Sequence, residues 1–183
     1  AHSGTHIWAT NLSGYHNMAE RSYVKSPCFN LSGMVNPWIK VWVWHDQLYP
    51  TYCQLKVSTD GGLNYATLGS SSDPDWYNQG YAWNESSGGW LEKKHKLDTY
   101  TGNTDVRFQF YFEGAVQKSG FAFDDFQICD GPVAQFSQMF PVKNNNVSLS
   151  NTSLNMDSCR WDFGDGSSGT EVNPVHSYPT TDS

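Results

Sequence analysis

Charge is scarce in this sequence: Asp, Glu, Lys and Arg together make up 16% of its 183 residues, against about a quarter in an ordinary globular domain. The charge present is unbalanced, with 11 Lys and Arg against 18 Asp and Glu and a net charge of −7. That excludes a nucleic-acid partner, because affinity for phosphate comes from clustered cations. Long apolar runs are missing as well. The longest, Trp38 to Trp44, is broken by Lys40, and a bilayer span takes about 20 residues. No start Met and no basic-apolar leader precede Trp8, and residues 179 to 183 are polar, so a piece of a longer chain is expected. No stretch carries the i, i+3, i+4, i+7 apolar stripe of a helix. The four cysteines, Cys28, Cys53, Cys129 and Cys159, contain no C-x-x-C pair, which removes the zinc and thioredoxin-like readings. The six histidines show no H-E-x-x-H, and G-x-S-x-G is absent. Nothing lowers the pKa of a cysteine, and the separation of a glycosidase carboxylate pair cannot be read from sequence. The expectation is a chain that is not an enzyme.

Aromatic residues are what the sequence has in abundance: 8 Trp, 10 Tyr and 10 Phe, enough for a substantial core and far from a disordered composition. They follow a period of two. Val106, Phe108, Phe110 and Phe112 alternate with Arg107, Gln109, Tyr111 and Glu113, the pattern of a strand with one face buried and one wet. Cys53 alternates with Leu55 and Val57, and Asp60-Gly61-Gly62 then turns the chain toward a return strand over residues 64 to 68. Trp38 to Trp44 has large residues at every position, which reads as a central strand covered on both sides. Phe121 to Cys129 is a further strand. Residues 70 to 89, rich in Ser, Gly, Asn, Asp and Pro yet holding Trp76, Tyr77, Tyr81 and Trp83, read as a long surface loop.

After Cys129, Asp130-Gly131-Pro132 is a linker signal. Beyond it, Val133 to Phe136, Val147 to Ser150 and Ser158 to Phe163 read as short strands of a small sandwich. The expected division is 1–130 and 131–183, both all-β. Five N-x-[S/T] sequons, at Asn11, Asn30, Asn84, Asn146 and Asn151, are what a chain rich in Asn and Ser contains by chance.

Trp161-Asp162-Phe163-Gly164-Asp165-Gly166 describes a strand ending in an acidic turn, with glycines free to take positive φ and aspartates able to bond backbone amides. Together with Asn173-Pro174-Val175-His176-Ser177-Tyr178 it resembles the PKD domain, an immunoglobulin-like sandwich of secreted and surface proteins. Family members continue with a G-x-Y-x-V-x-L strand, so residues 131–183 are expected to be a partial PKD sandwich. Gly120-Phe121-Ala122-Phe123-Asp124-Asp125-Phe126-Gln127-Ile128 is similar to the closing strand of MAM-type jelly-roll domains. Trp8 to Tyr15 and Ser26 to Gly33 resemble the opening of jelly-roll modules appended to bacterial secreted peptidases and surface proteins. In that group the first core strand often lies beside the closing one, which implies Cys28–Cys129 as the pair if a disulfide forms. Ser58 to Tyr65 resembles the Asp-box, S-x-D-x-G-x-T-W, a folding device without catalytic meaning.

These resemblances imply an extracellular or cell-surface, non-catalytic module within a larger protein. Its partners would be a polysaccharide or glycoprotein ligand and the neighbouring domains of its own chain, or its role would be a structural spacer. Trp76, Tyr77, Tyr81, Trp83 and Trp90 are the candidate sugar platform, with Asp73, Asp75, Asn78 and Asn84 beside it, since Trp and Tyr faces stack on apolar sugar faces. The competing reading tucks these rings onto the sheet. Asp124 and Asp125 should point to opposite strand faces, so that one joins the core side and needs a partner. Either a calcium ion with Glu20 as co-ligand, or Arg21, Arg107 or a backbone group, would supply it. In the PKD resemblance Asp162 and Asp165 are further candidate oxygen ligands for calcium.

Overall fold

The computed structural model describes residues 1–143 and 145–178, and the polar tail at 179–183 lies outside them. The chain divides into two compact units, Ala1–Asp130 and Gly131–Ser183. Every paired strand is antiparallel. The one helical element among the described residues is a 3-10 turn at Asp98–Tyr100.

In the first unit the strands are β1 (Trp8–Ala9), β2 (Arg21–Lys25), β3 (Pro37–Asp46), β4 (Tyr52–Ser58), β5 (Ala66–Thr67), β6 (Leu91–Lys96), β7 (Arg107–Glu113) and β8 (Gly120–Asp130). They form two four-stranded sheets, β1-β8-β3-β6 and β2-β7-β4-β5. The chain passes from one sheet to the other between most successive strands, the connectivity of a jelly-roll sandwich. Ile39, Val41 and Val43 from the first sheet meet Cys53, Leu55, Val57, Phe108, Phe110 and Phe112 from the second in one core. The Asp-box turn joins β4 to β5. Asp60 accepts from the amides of Leu63 and Asn64 (3.0 Å each) and from the Ser58 hydroxyl (2.7 Å), and these bonds hold its carboxyl well below the usual carboxylate range.

Two features depart from simple alternation. Strand β3 is central, between β8 and β6, but only its inner side is covered. Trp38, Lys40, Trp42 and Trp44 stand half-buried on the outer face, where the expectation of cover on both sides fails. The second is in β8. Lys40 lies opposite Gln127 and Trp42 opposite Asp124, so Asp125 and Phe126 together face Val41 alone. This β-bulge places Asp125 at φ +48°, a conformation Asp tolerates better than most residues. Phe121 and Phe123 point into the core before it, and Phe126 and Ile128 pack against the core after it.

The second unit holds β9 (Phe136–Lys143), β10 (Asn146–Asn151), β11 (Trp161–Asp162), β12 (Ser168–Gly169) and β13 (Val175–Ser177). They form a three-stranded sheet, β13-β10-β9, and a two-stranded one, β11-β12. An open groove of about 670 Å³ in this unit is lined by Val133, Leu149, Trp161, Phe163 and Tyr178 among others. Gly164 and Gly166 take φ +81° and +88°, as the acidic turn requires. His176 links that turn to β13: its ring stacks on Phe163 at 4.1 Å and its Nε2 lies 2.7 Å from Asp165 Oδ2.

Candidate functional site

The loop from 70 to 89 does not present its rings to solvent. Trp76, Tyr77 and Trp83 are 1%, 5% and 0% exposed, and each polar handle has an internal partner. Trp76 Nε1 donates to the Leu68 carbonyl (2.8 Å) and Trp83 Nε1 to the Trp76 carbonyl (3.0 Å). The Tyr77 hydroxyl accepts from Leu55 N–H (2.9 Å) and donates to Leu55 C=O (3.0 Å). Burial pushes that hydroxyl's pKa up. Trp83 also exchanges backbone bonds with Cys53 and stacks on Phe121. The loop is an aromatic plug over the sandwich, so these three residues have no face for a sugar. Tyr81 is 64% exposed but stands apart from them.

Trp90 is the member of the expected platform that lies at a surface groove. It is half-buried and, with Trp44, lines a groove of about 350 Å³ on the outer face of β1-β8-β3-β6. Ala9 and Ala122, paired across β1 and β8, contribute small side chains to this groove. Leu12 also lines it, and Asn11 and Ser119 bring polar atoms. Asn11 is held by its bond to the Tyr15 carbonyl (2.9 Å) and Ser119 by Asp46 (2.8 Å). Next along β3 on the same face is Trp42, on which the His2 ring is stacked at 3.7 Å and 12°. Farther on are Lys40 and then Trp38, with Lys96 Nζ 5.4 Å from its ring centre. Sequence reasoning passed over this face because it read the large residues at every position as cover on both sides. The signal was Lys40, which is in phase with Trp38, Trp42 and Trp44 and marks their face as wet.

The opposite sheet carries a different outer face, in which the polar groups meet one another. Glu113 receives Arg21 (3.0 Å), Tyr52 (3.0 Å) and Tyr111 (2.9 Å), and Lys56 sits 3.9 Å over the Tyr111 ring. Burial and the Glu113 carboxylate push the Tyr52 hydroxyl up to about 12. Arg107 pairs with Asp105 at 2.8 Å.

The carboxylates considered for calcium are dispersed. Glu20 accepts from Asn17 N–H (3.2 Å) and the Ser22 hydroxyl (2.9 Å). The bulge brings both Asp124 and Asp125 to the N-terminal segment, against the expectation that they part to opposite faces. Asp124 accepts the amides of His2 (2.9 Å) and Ser3 (3.1 Å), while Asp125 meets the His2 ring (2.8 Å) and the Ser3 hydroxyl (2.5 Å). Their partners are thus backbone and side-chain groups of that segment, while Arg21 and Arg107 are engaged elsewhere. Asp162 binds the Gly164 amide (3.0 Å), and Asp165 binds Ser167 and His176. Among the described residues no three His, Cys, Asp or Glu side chains gather as a metal cage.

The implied disulfide is not formed. Cys28 and Cys129 are both free thiols. β8 lies between β1 and β3, with Cys129 opposite Trp38, whereas the segment at Cys28 follows β2 of the other sheet. Cys53 is buried in the core, where desolvation pushes its thiol pKa far up.

No protein-family model matches the chain, and no curated protein matches it. Among solved structures it is similar to the K1 cleaved adhesin domain of Lys-gingipain from Porphyromonas gingivalis W83. That match has a TM-score of 0.39 and 15% identity, and covers 67% of this chain and 71% of that one.

Proposed function

We propose that the first unit is a non-catalytic glycan-binding module of a larger extracellular or cell-surface protein, and that its site is the tryptophan face of β1-β8-β3-β6. The observation that carries this reading is the groove lined by Trp44 and Trp90. Flat apolar rings beside a few fixed hydrogen-bonding groups match the alternating C–H faces and hydroxyls of a pyranose. The small side chains of Ala9 and Ala122 leave room for a ring to approach the sheet. The second unit, with its small sheets, serves as the connection to further domains of the chain.

Affinity electrophoresis against a polysaccharide panel, with tryptophan fluorescence as a second readout, tests the proposal. Trp44→Ala and Trp90→Ala should each weaken binding by about tenfold or more, which is about 1.4 kcal/mol, while the melting temperature stays close to that of the parent protein. No retardation or quenching by any glycan would remove the proposal and leave the spacer role.

A further inference from the structure

Trp42 already carries a ring. The His2 imidazole lies nearly parallel to the indole, with ring centres 3.7 Å apart, and its edge meets Trp90 at 6.1 Å and 63°. The polar groups of the same segment point to two carboxylates. His2 and Ser3 donate their amides to Asp124 Oδ2 (2.9 and 3.1 Å), the His2 Nδ1 meets Asp125 Oδ2 (2.8 Å), and the Ser3 hydroxyl donates to Asp125 Oδ1 (2.5 Å). A flat ring on an indole, with N–H and O–H donors at its rim aimed at fixed acceptors, is how a site holds a pyranose by one C–H face and its hydroxyls. Residues 2 and 3 reproduce that arrangement with the protein's own atoms.

The contact is a light one. The chain runs exposed from Ala1 to His6 before β1 begins at Trp8, and Gly4 turns it at φ +56° in open space. The His2 and Asp125 side chains are each 29% exposed, so water competes for the bonds of this strap, and such surface bonds contribute little. Opening it frees the outer face of Trp42 together with oxygens of Asp124 and Asp125. Glu92 flanks Trp42 on the other side and is paired with Lys94 at 2.5 Å. Carboxylates around an indole accept hydroxyls and repel an anion, which fits a neutral sugar.

We infer that Trp42, Asp124 and Asp125 form a second sugar position, which residues 2 and 3 occupy until a neutral polysaccharide long enough to reach it displaces them. This rests on the glycan reading above and extends its site by one position. Trp42 is two residues from Trp44 on the same face, about 7 Å along the strand. Trp90 both lines the groove and meets the His2 ring, so one polysaccharide chain can span the two positions. The strap reduces apparent affinity according to the fraction of molecules in which it is open, and it does so only for ligands that reach Trp42.

Cellohexaose, mannohexaose and chitohexaose, each with its disaccharide, are titrated against the full chain by calorimetry. NMR follows the His2 ring protons, which stacking on Trp42 shifts upfield. His2→Ala should bind a hexasaccharide about tenfold more tightly than the parent, bind the disaccharide as the parent does, and keep the parent's melting temperature. Adding Trp42→Ala to it should remove the gain. A saturating hexasaccharide should bring the parent's His2 protons to the positions of a free histidine. Hexasaccharide affinity that is unchanged or lower in His2→Ala, or His2 protons that stay upfield in the bound parent, overturns the inference and leaves the glycan site at Trp44 and Trp90 standing. Absence of binding of every sugar, and of the polysaccharide panel, to both the parent and His2→Ala removes both.

Discussion

Two groups of tryptophans in the first unit have the same side chain and opposite situations. Trp76 and Trp83 come from a segment full of Ser, Gly and Asn, yet are 1% and 0% exposed. Trp38, Trp42 and Trp44 come from the middle of a central strand, yet stand on a face that no other layer covers. The difference lies in what the backbone around each ring can satisfy. The loop folds back so that each buried indole N–H meets a carbonyl, which removes the penalty of desolvating it. The strand tryptophans are bound to one side of the sheet by their parity, and Lys40 shares that parity. Local composition therefore left the first group open between a sugar platform and rings tucked onto the sheet, and misjudged the second, for which phase along the strand was the better guide.

The most severe way to break the contrast is to remove a plug residue. Trp83→Ala should destabilise the first unit by about 3–5 kcal/mol, the range for deleting a buried Trp, measured by urea denaturation. A loss under about 1 kcal/mol would return Trp83 to the surface group. Trp44→Ala, by contrast, should act on ligand binding and hardly on stability.

A smaller effect is expected at Gly69, which begins the plug at φ +71°. A Cβ there would lie 2.8 Å from Asp73 Oδ2, 2.9 Å from the His95 ring and 2.9 Å from the Trp76 ring. Gly69→Ala should cost about 1–3 kcal/mol and make Trp76 emission shift toward that of an exposed indole. Unchanged stability would show that the loop can move aside without disturbing its rings.

The smallest effect concerns the second unit and sharpens the comparison by showing a surface cluster held by polar bonds instead. Ser167 and, after it, His176 hold the Asp165 carboxyl down at about 2, from an ordinary 3.8. A depressed folded pKa contributes stability that is complete above the unfolded value and lost as pH falls through the folded one. The difference in amide exchange at Gly164 and Ser167 between the parent and Asp165→Asn should be full at pH 6 and close as pH falls from about 4 toward 2. A difference that persists at pH 2 would contradict this.

Much of the fold was legible. Phe108, Phe110 and Phe112 face inward and Arg107, Tyr111 and Glu113 outward, as their alternation requires. Asp60 and Asp165 bond the turn amides that their motifs call for. The strand expected over Ser158 to Phe163 shrinks to Trp161–Asp162, because residues 158 to 160 find no ladder partner. The site was less legible, for two reasons. A long loop rich in small polar residues reveals nothing of whether its rings find carbonyl partners, since those partners, Leu68 and Leu55, are distant in sequence from some of them. Alternation also fails silently at a bulge. Asp124 and Asp125 were read as diverging, whereas the inserted residue lets both reach His2 and Ser3.

That bulge makes the inward positions of β8 odd-numbered before it and even-numbered after it. Losing either Asp125 or Phe126 would restore unbroken alternation from Gly120 onward. Loss of Phe126 would turn Asp125 toward Val41 and the core, whereas loss of Asp125 would leave Phe126 alone opposite Val41, with Gln127 still outward opposite Lys40 and Ile128 still inward opposite Ile39. The same deletion would disturb the anchor of residues 2 and 3, and with it the His2 ring that lies over Trp42. The extra residue thus leaves the core pattern as it is and gives the surface a second carboxylate that holds the N-terminal segment.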